Sequence, residues 1–146
     1  MTADSTWKDV EARLDVTIAG LVDGGHVVVG EPAGTAAPRG LLRRRQAPPP
    51  RPYAQAALRG SWLYAECIGA TAFGGDWEVT PEQDAAIRGA GWLTPDQDDE
   101  TGTRPSYPNY WRTLPVERRS EVVTMMVAAL QALGVEPAAL EWDQGA

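Results

Sequence analysis

One stretch leaves little freedom in how the chain folds around it: Trp77-Glu-Val-Thr80-Pro81-Glu82-Gln83-Asp-Ala-Ala-Ile87-Arg-Gly89-Ala-Gly91-Trp92-Leu-Thr-Pro95. Thr80 offers an N-cap oxygen and Gln83, three residues on, completes a capping box. Pro81 falls at the first helical position, where its missing N–H is not needed. Ala86 and Ile87 face inward, and Gly89 or Gly91 stops the helix. Trp92 then has the setting of a buried side chain, and Pro95 carries the chain away. The stretch contains no catalytic group.

The chain has 146 residues, 43% of them hydrophobic, enough for one domain with a single core and too many for a disordered segment. Its formal net charge of −7 repels phosphate backbones, so nucleic acid is not an expected partner. Cys67 is the only cysteine and His26 the only histidine, which leaves no internal disulfide and no cysteine zinc cluster. No apolar run approaches the roughly 20 residues that span a bilayer. The expectation is a soluble, cytoplasmic protein with no membrane partner.

Thr6 and Asp9 are spaced as a second capping box. Trp7, Val10, Leu14, Ile18, Leu21 and Val22 then recur at steps of three and four, predicting an amphipathic helix at about 6–22, ended by Asp23-Gly24-Gly25. His26-Val27-Val28-Val29 reads as a first strand. Residues at about 30–52 form an Arg/Pro-rich loop, with Leu41 and Leu42 candidates for a short strand and Pro48-Pro49-Pro50-Arg51-Pro52 extended.

Tyr53 to Leu58 and Ser61 to Ile68 read as two strands joined by a turn at Arg59-Gly60. That turn sets Ala57 opposite Trp62, Gln55 opposite Tyr64 and Tyr53 opposite Glu66. Alternation along each strand puts Tyr53, Gln55, Trp62, Tyr64 and Glu66 on one face, and Ala54, Ala56, Leu58, Leu63, Ala65 and Cys67 on the other. The second face suits a cover of helices. The first, aromatic and polar, suits contact with a partner. Residues 96–108 read as a loop closed by Tyr107, Tyr110 and Trp111. Pro115 opens a long helix at about 116–133, with a stripe of Val122 or Val123, Met126, Val127, Leu130 and Leu133, and Leu140-Glu141-Trp142 is a candidate last strand. The order predicts an α+β fold with an antiparallel sheet flanked by helices on one face.

Few residues of the chain are arranged for chemistry. His26 beside a valine run reads as structural, and Cys67 in mid-strand lacks the positive surroundings of a reactive thiol. Asp96, Asp98, Asp99 and Glu100 lack the glycine placement and closing glutamate of an EF-hand loop, so no metal is expected. There is no phosphate-binding loop and no cofactor motif. Arg39, Arg43, Arg44, Arg45 and Arg51 form the one basic patch: a site for an anionic partner, or a loop that offsets the surrounding acid. Of six tryptophans, Trp7, Trp92 and Trp111 are assigned to core and rim packing. Trp62 beside Tyr64 and Tyr53 points to a protein interface.

Residues 53–140 resemble the YbjN / type III secretion chaperone-like superfamily, in particular the actinobacterial domains called TY-Chap. Four elements carry the resemblance: Tyr53-Ala-Gln55 through Leu63-Tyr-Ala-Glu66, Thr80-Pro81-Glu82-Gln83 through Gly91-Trp92-x-x-Pro95, Asn109-Tyr110-Trp111, and Leu133-Gly134-Val135-x-x-Ala138-x-Leu140. Residues 30–52 depart from the pattern, being longer and richer in Arg and Pro, as does Ala90, where a larger apolar residue is common. The resemblance implies a chaperone-like fold, no catalysis, and a partner that is a protein client or a second copy in a homodimer. The contact is expected at Tyr53, Gln55, Trp62, Tyr64 and Glu66. The alternative is a regulatory or ligand-sensing domain whose arginine-rich loop takes an anionic partner.

Overall fold

Eight main elements follow one another in the computed structural model, which describes residues 6–31, 51–102 and 108–145. They are α1 (Trp7–Ala19), β1 (His26–Gly30), β2 (Tyr53–Arg59), β3 (Trp62–Cys67), α2 (Pro81–Gly89), β4 (Tyr110–Pro115), α3 (Arg119–Ala132) and β5 (Glu141–Gly145). The strands form one antiparallel sheet in the order β4-β3-β2-β1-β5. α1 and α2 both pack on α3, and α3 lies over β2 and β3. This is the α+β arrangement that the sequence predicts.

Side-chain size explains how α3 sits. Ala54, Ala56, Ala65 and Cys67 point to the helix side of β2 and β3 and are fully or almost fully buried. Such small side chains let a helix approach closely, and Val122, Met126 and Leu130 fill the space above them. Val10, Leu14 and Ile18 bring α1 into the same core with Val27 and Val29 of β1.

Both predicted capping boxes form. The Thr6 hydroxyl accepts from the Asp9 amide at 3.2 Å and the Asp9 carboxylate accepts from the Thr6 amide at 3.1 Å. Thr80 and Gln83 repeat the exchange at 3.1 and 2.9 Å, with Pro81 in the first turn. Trp92 is buried after the α2 stop, its indole N–H donating to the Met125 carbonyl at 2.8 Å.

Five expectations need correction. Of the pair Ala86 and Ile87, expected to face inward, only Ile87 is buried; Ala86 is exposed. α1 ends at Ala19, not near residue 22, because Gly20 caps it; Leu21 is still buried but Val22 is exposed. The β2–β3 turn is Gly60-Ser61, not Arg59-Gly60, so Gln55 faces Glu66, Ala57 faces Tyr64 and Arg59 faces Trp62. Gly60 takes φ +62 at the first turn position, where a left-handed conformation favours glycine; the other turn would impose it on Arg59. The Asp23 carboxylate also holds the Gly60 amide at 2.7 Å. Tyr110 and Trp111 begin a six-residue strand rather than closing a loop. The long helix is preceded by a turn of 3-10 helix at Val116–Arg118 and becomes α-helical at Arg119.

The last strand is present as β5, paired with β1. Glu31 and Pro52 meet where the Glu31 amide donates to the Pro52 carbonyl at 3.1 Å, continuing the contact between the neighbouring strands β1 and β2. The predicted strand at Leu41-Leu42, the extended Pro48–Pro50 run, and Arg39, Arg43, Arg44 and Arg45 lie outside the described residues.

Candidate functional site

Among the described residues, helices cover one face of the sheet and leave the central strands of the other open. The register slip between expectation and structure is two residues, and a strand repeats every two, so every side chain keeps its predicted face. Tyr53, Gln55, Trp62, Tyr64 and Glu66 therefore share the open face. Trp62 and Tyr64 are 40% and 38% exposed, among the few large hydrophobic side chains of the described residues left in solvent. The Arg59 guanidinium stands 5.5 Å from the centre of the Tyr64 ring, at the outer reach of a cation–π contact.

Beside these aromatics lies a fixed polar cluster. Gln55 Nε2 donates to Glu66 Oε2 at 3.0 Å. Asn109 Nδ2 donates to Glu66 Oε1 at 2.7 Å and to the Tyr53 hydroxyl at 3.1 Å, while Asn109 Oδ1 accepts from the Gly69 amide at 3.1 Å. The amide thus has one orientation that satisfies it; the reverse would set its oxygen against a carboxylate. Gly69 permits this approach, because a Cβ there would collide with the Pro108 carbonyl. Burial, reinforced by the Glu66 charge, pushes the Tyr53 phenol up to about 12, so it stays neutral across physiological pH.

Strand alternation places the five residues on one face, but Asn109, which ties Tyr53 and Glu66 together, is visible in the sequence only as part of the Asn109-Tyr110-Trp111 motif; its partners lie 40 to 56 positions away, and no local signal connects them. Trp111 pairs with Glu66 in register yet is buried, its indole N–H donating to the Thr94 carbonyl at 3.0 Å. Leu93 and Trp111 exchange backbone hydrogen bonds, so the segment after α2 closes the outer edge of β4.

The other chemical candidates have structural settings. Cys67 is buried, and burial alone pushes its thiol far above the usual range, away from the nucleophilic thiolate. The His26 ring packs over Gly145, where a Cβ would come within 2.6 Å of it. In the acidic loop, Asp96 accepts from the Thr94 hydroxyl, Asp99 from the Thr101 amide and hydroxyl, and Glu100 pairs with Arg112 at 2.6 Å. Among the described residues, no group of three or more His, Cys, Asp or Glu side chains is placed to hold a metal ion. No helix among them is long and apolar enough to cross a membrane.

An α+β domain with one sheet face under helices and the other presenting aromatics around a rigid polar cluster has the make-up of a binding domain. The chain belongs to the TY-Chap3 family, described as the T3SS (YopN, CesT) and YbjN peptide-binding chaperone 3, whose model matches residues 1–146, the whole chain. The resemblance read from residues 53–140 is thereby borne out. No curated protein and no solved structure matches the chain.

Proposed function

We propose that this protein is a single-domain, non-enzymatic, cytoplasmic chaperone that holds an extended segment of a partner protein on its open sheet face. The observation that carries this reading is the pair Trp62 and Tyr64, held 40% and 38% exposed on a rigid sheet beside the Tyr53–Gln55–Glu66–Asn109 cluster. Aromatic side chains cost little conformational entropy to fix and bury large areas, which makes them effective anchors. The polar cluster is internally bonded yet keeps acceptor capacity on Glu66 for a segment's backbone amides. The same face serves a second copy of the chain in a homodimer when no client is held.

The test is affinity capture from the native cytoplasm, run with wild type and with Tyr64→Arg. Truncating an aromatic anchor costs about 2 kcal/mol or more, roughly thirtyfold in affinity. A client recovered by wild type and lost by a folded Tyr64→Arg variant supports the reading. Equal recovery by both removes the sheet face from the function. Sedimentation over a range of concentrations, again with both proteins, tests self-association through the same surface.

A further inference from the structure

The open face is not uniform, and its asymmetry describes the segment it would hold. At the β3 side stand Trp62 and Tyr64. At the β5 side a cavity of about 430 Å³ is lined by Val28, Gly30, Glu31, Arg51, Glu141, Trp142 and Asp143. Glu141 faces Gly30 and Asp143 faces Val28, which in turn faces Gln55, so both carboxylates lie on the open face. Three carboxylates share this cavity with one guanidinium. None of the three forms an ion pair or side-chain hydrogen bond with another described residue, whereas Asp15, Asp84, Glu100 and Glu121 are all paired with arginines. Nor do they converge closely enough to hold a metal ion. An open, acidic, roomy hollow of this kind suits an organic cation.

We infer that the segment held on the open face carries a lysine or arginine side chain that seats among Glu31, Glu141 and Asp143 while a large apolar side chain lies against Trp62 and Tyr64. This rests on the sheet face being the binding surface. The register sets the spacing. Asp143 is three strands from Tyr64 and two residues further along, which at standard strand geometry is about 16 Å. An extended chain covers that distance in about five residues. The path crosses Ala57 and Val28, whose side chains are short enough to let a backbone lie close. The surface therefore reads a segment with direction: an apolar anchor at one end and a positive charge about five residues away.

A displayed library of random peptides of about twelve residues, long enough to cross the sheet, tests this on the whole protein. Wild type is expected to select peptides with a Lys or Arg about five residues from an aromatic or large aliphatic side chain. One selected peptide, fluorescently labelled, is then measured against variants whose fold is confirmed by circular dichroism. Glu141→Lys with Asp143→Lys should weaken it about tenfold, with binding regained when the peptide's basic residue becomes Glu. Tyr64→Arg should abolish binding of both peptides. Selection without basic residues, or unchanged affinity in the double lysine variant while Tyr64→Arg still fails, overturns the cation site and leaves the sheet-face reading standing. No selected peptide at all overturns both. Tighter binding after Arg43, Arg44 and Arg45 are replaced by Ser overturns the choice of occupant, since the chain's own segment would then be competing for the acid.

Discussion

Asn109 holds the open face in shape through three hydrogen bonds, two donated by its amide nitrogen and one accepted by its oxygen. Asn109→Ala leaves Glu66 and the Gly69 amide short of partners, and about 1–3 kcal/mol of stability is expected to go, read by urea denaturation. The phenols give a pH prediction. Tyr53 is held up at about 12, chiefly by burial, and Tyr110 is pushed upward by burial and by the Asp84 carboxylate that accepts its hydroxyl. In the unfolded chain both ionise near pH 10. Their contribution to stability is therefore fully present below about pH 10 and is lost as pH rises through the folded values. The melting temperature should hold level up to that point and then fall, with a shallower fall in Tyr53→Phe; a flat profile to pH 12 would contradict the phenols' burial.

The helix ends are set by local chemistry and the strands by distant partners. Thr80→Ala removes the N-cap of α2 and should cost about 1 kcal/mol in thermal unfolding. Gly69→Ala pushes a methyl group into the Pro108 carbonyl and should cost about 1–3 kcal/mol while displacing Asn109, seen as weaker partner binding as well as a lower melting temperature. The same division explains what could be read from the sequence. Capping boxes and glycine stops lie within a few residues of one another, so α2 and the start of α1 were legible. β4 was not, because Tyr110 and Trp111 are both buried, one under the helices and one beneath the segment after α2, so the strand lacks the alternation that marks one. The hairpin register differs from the expected one by two residues because glycine's place in the turn is ambiguous from sequence. The faces survived because two is the strand period.

At the scale of the molecule, one sheet serves two purposes. Small side chains on its inner face admit α3, and that close packing leaves the outer face free to carry aromatics, a fixed polar cluster and an acidic edge. The five candidate residues could be grouped from sequence because face membership follows from parity alone; Asn109 and the acidic cavity could not, because each depends on strands brought together by the fold. The most direct measurement is site-specific photo-crosslinking in the native cell. A photoreactive residue is placed at Trp62 on the open face, and at Val16, 72% exposed on the outer side of α1, as the control. The account predicts a crosslinked protein partner at position 62 and none at 16. Equal crosslinking at both positions, or a partner at 16 alone, would contradict it.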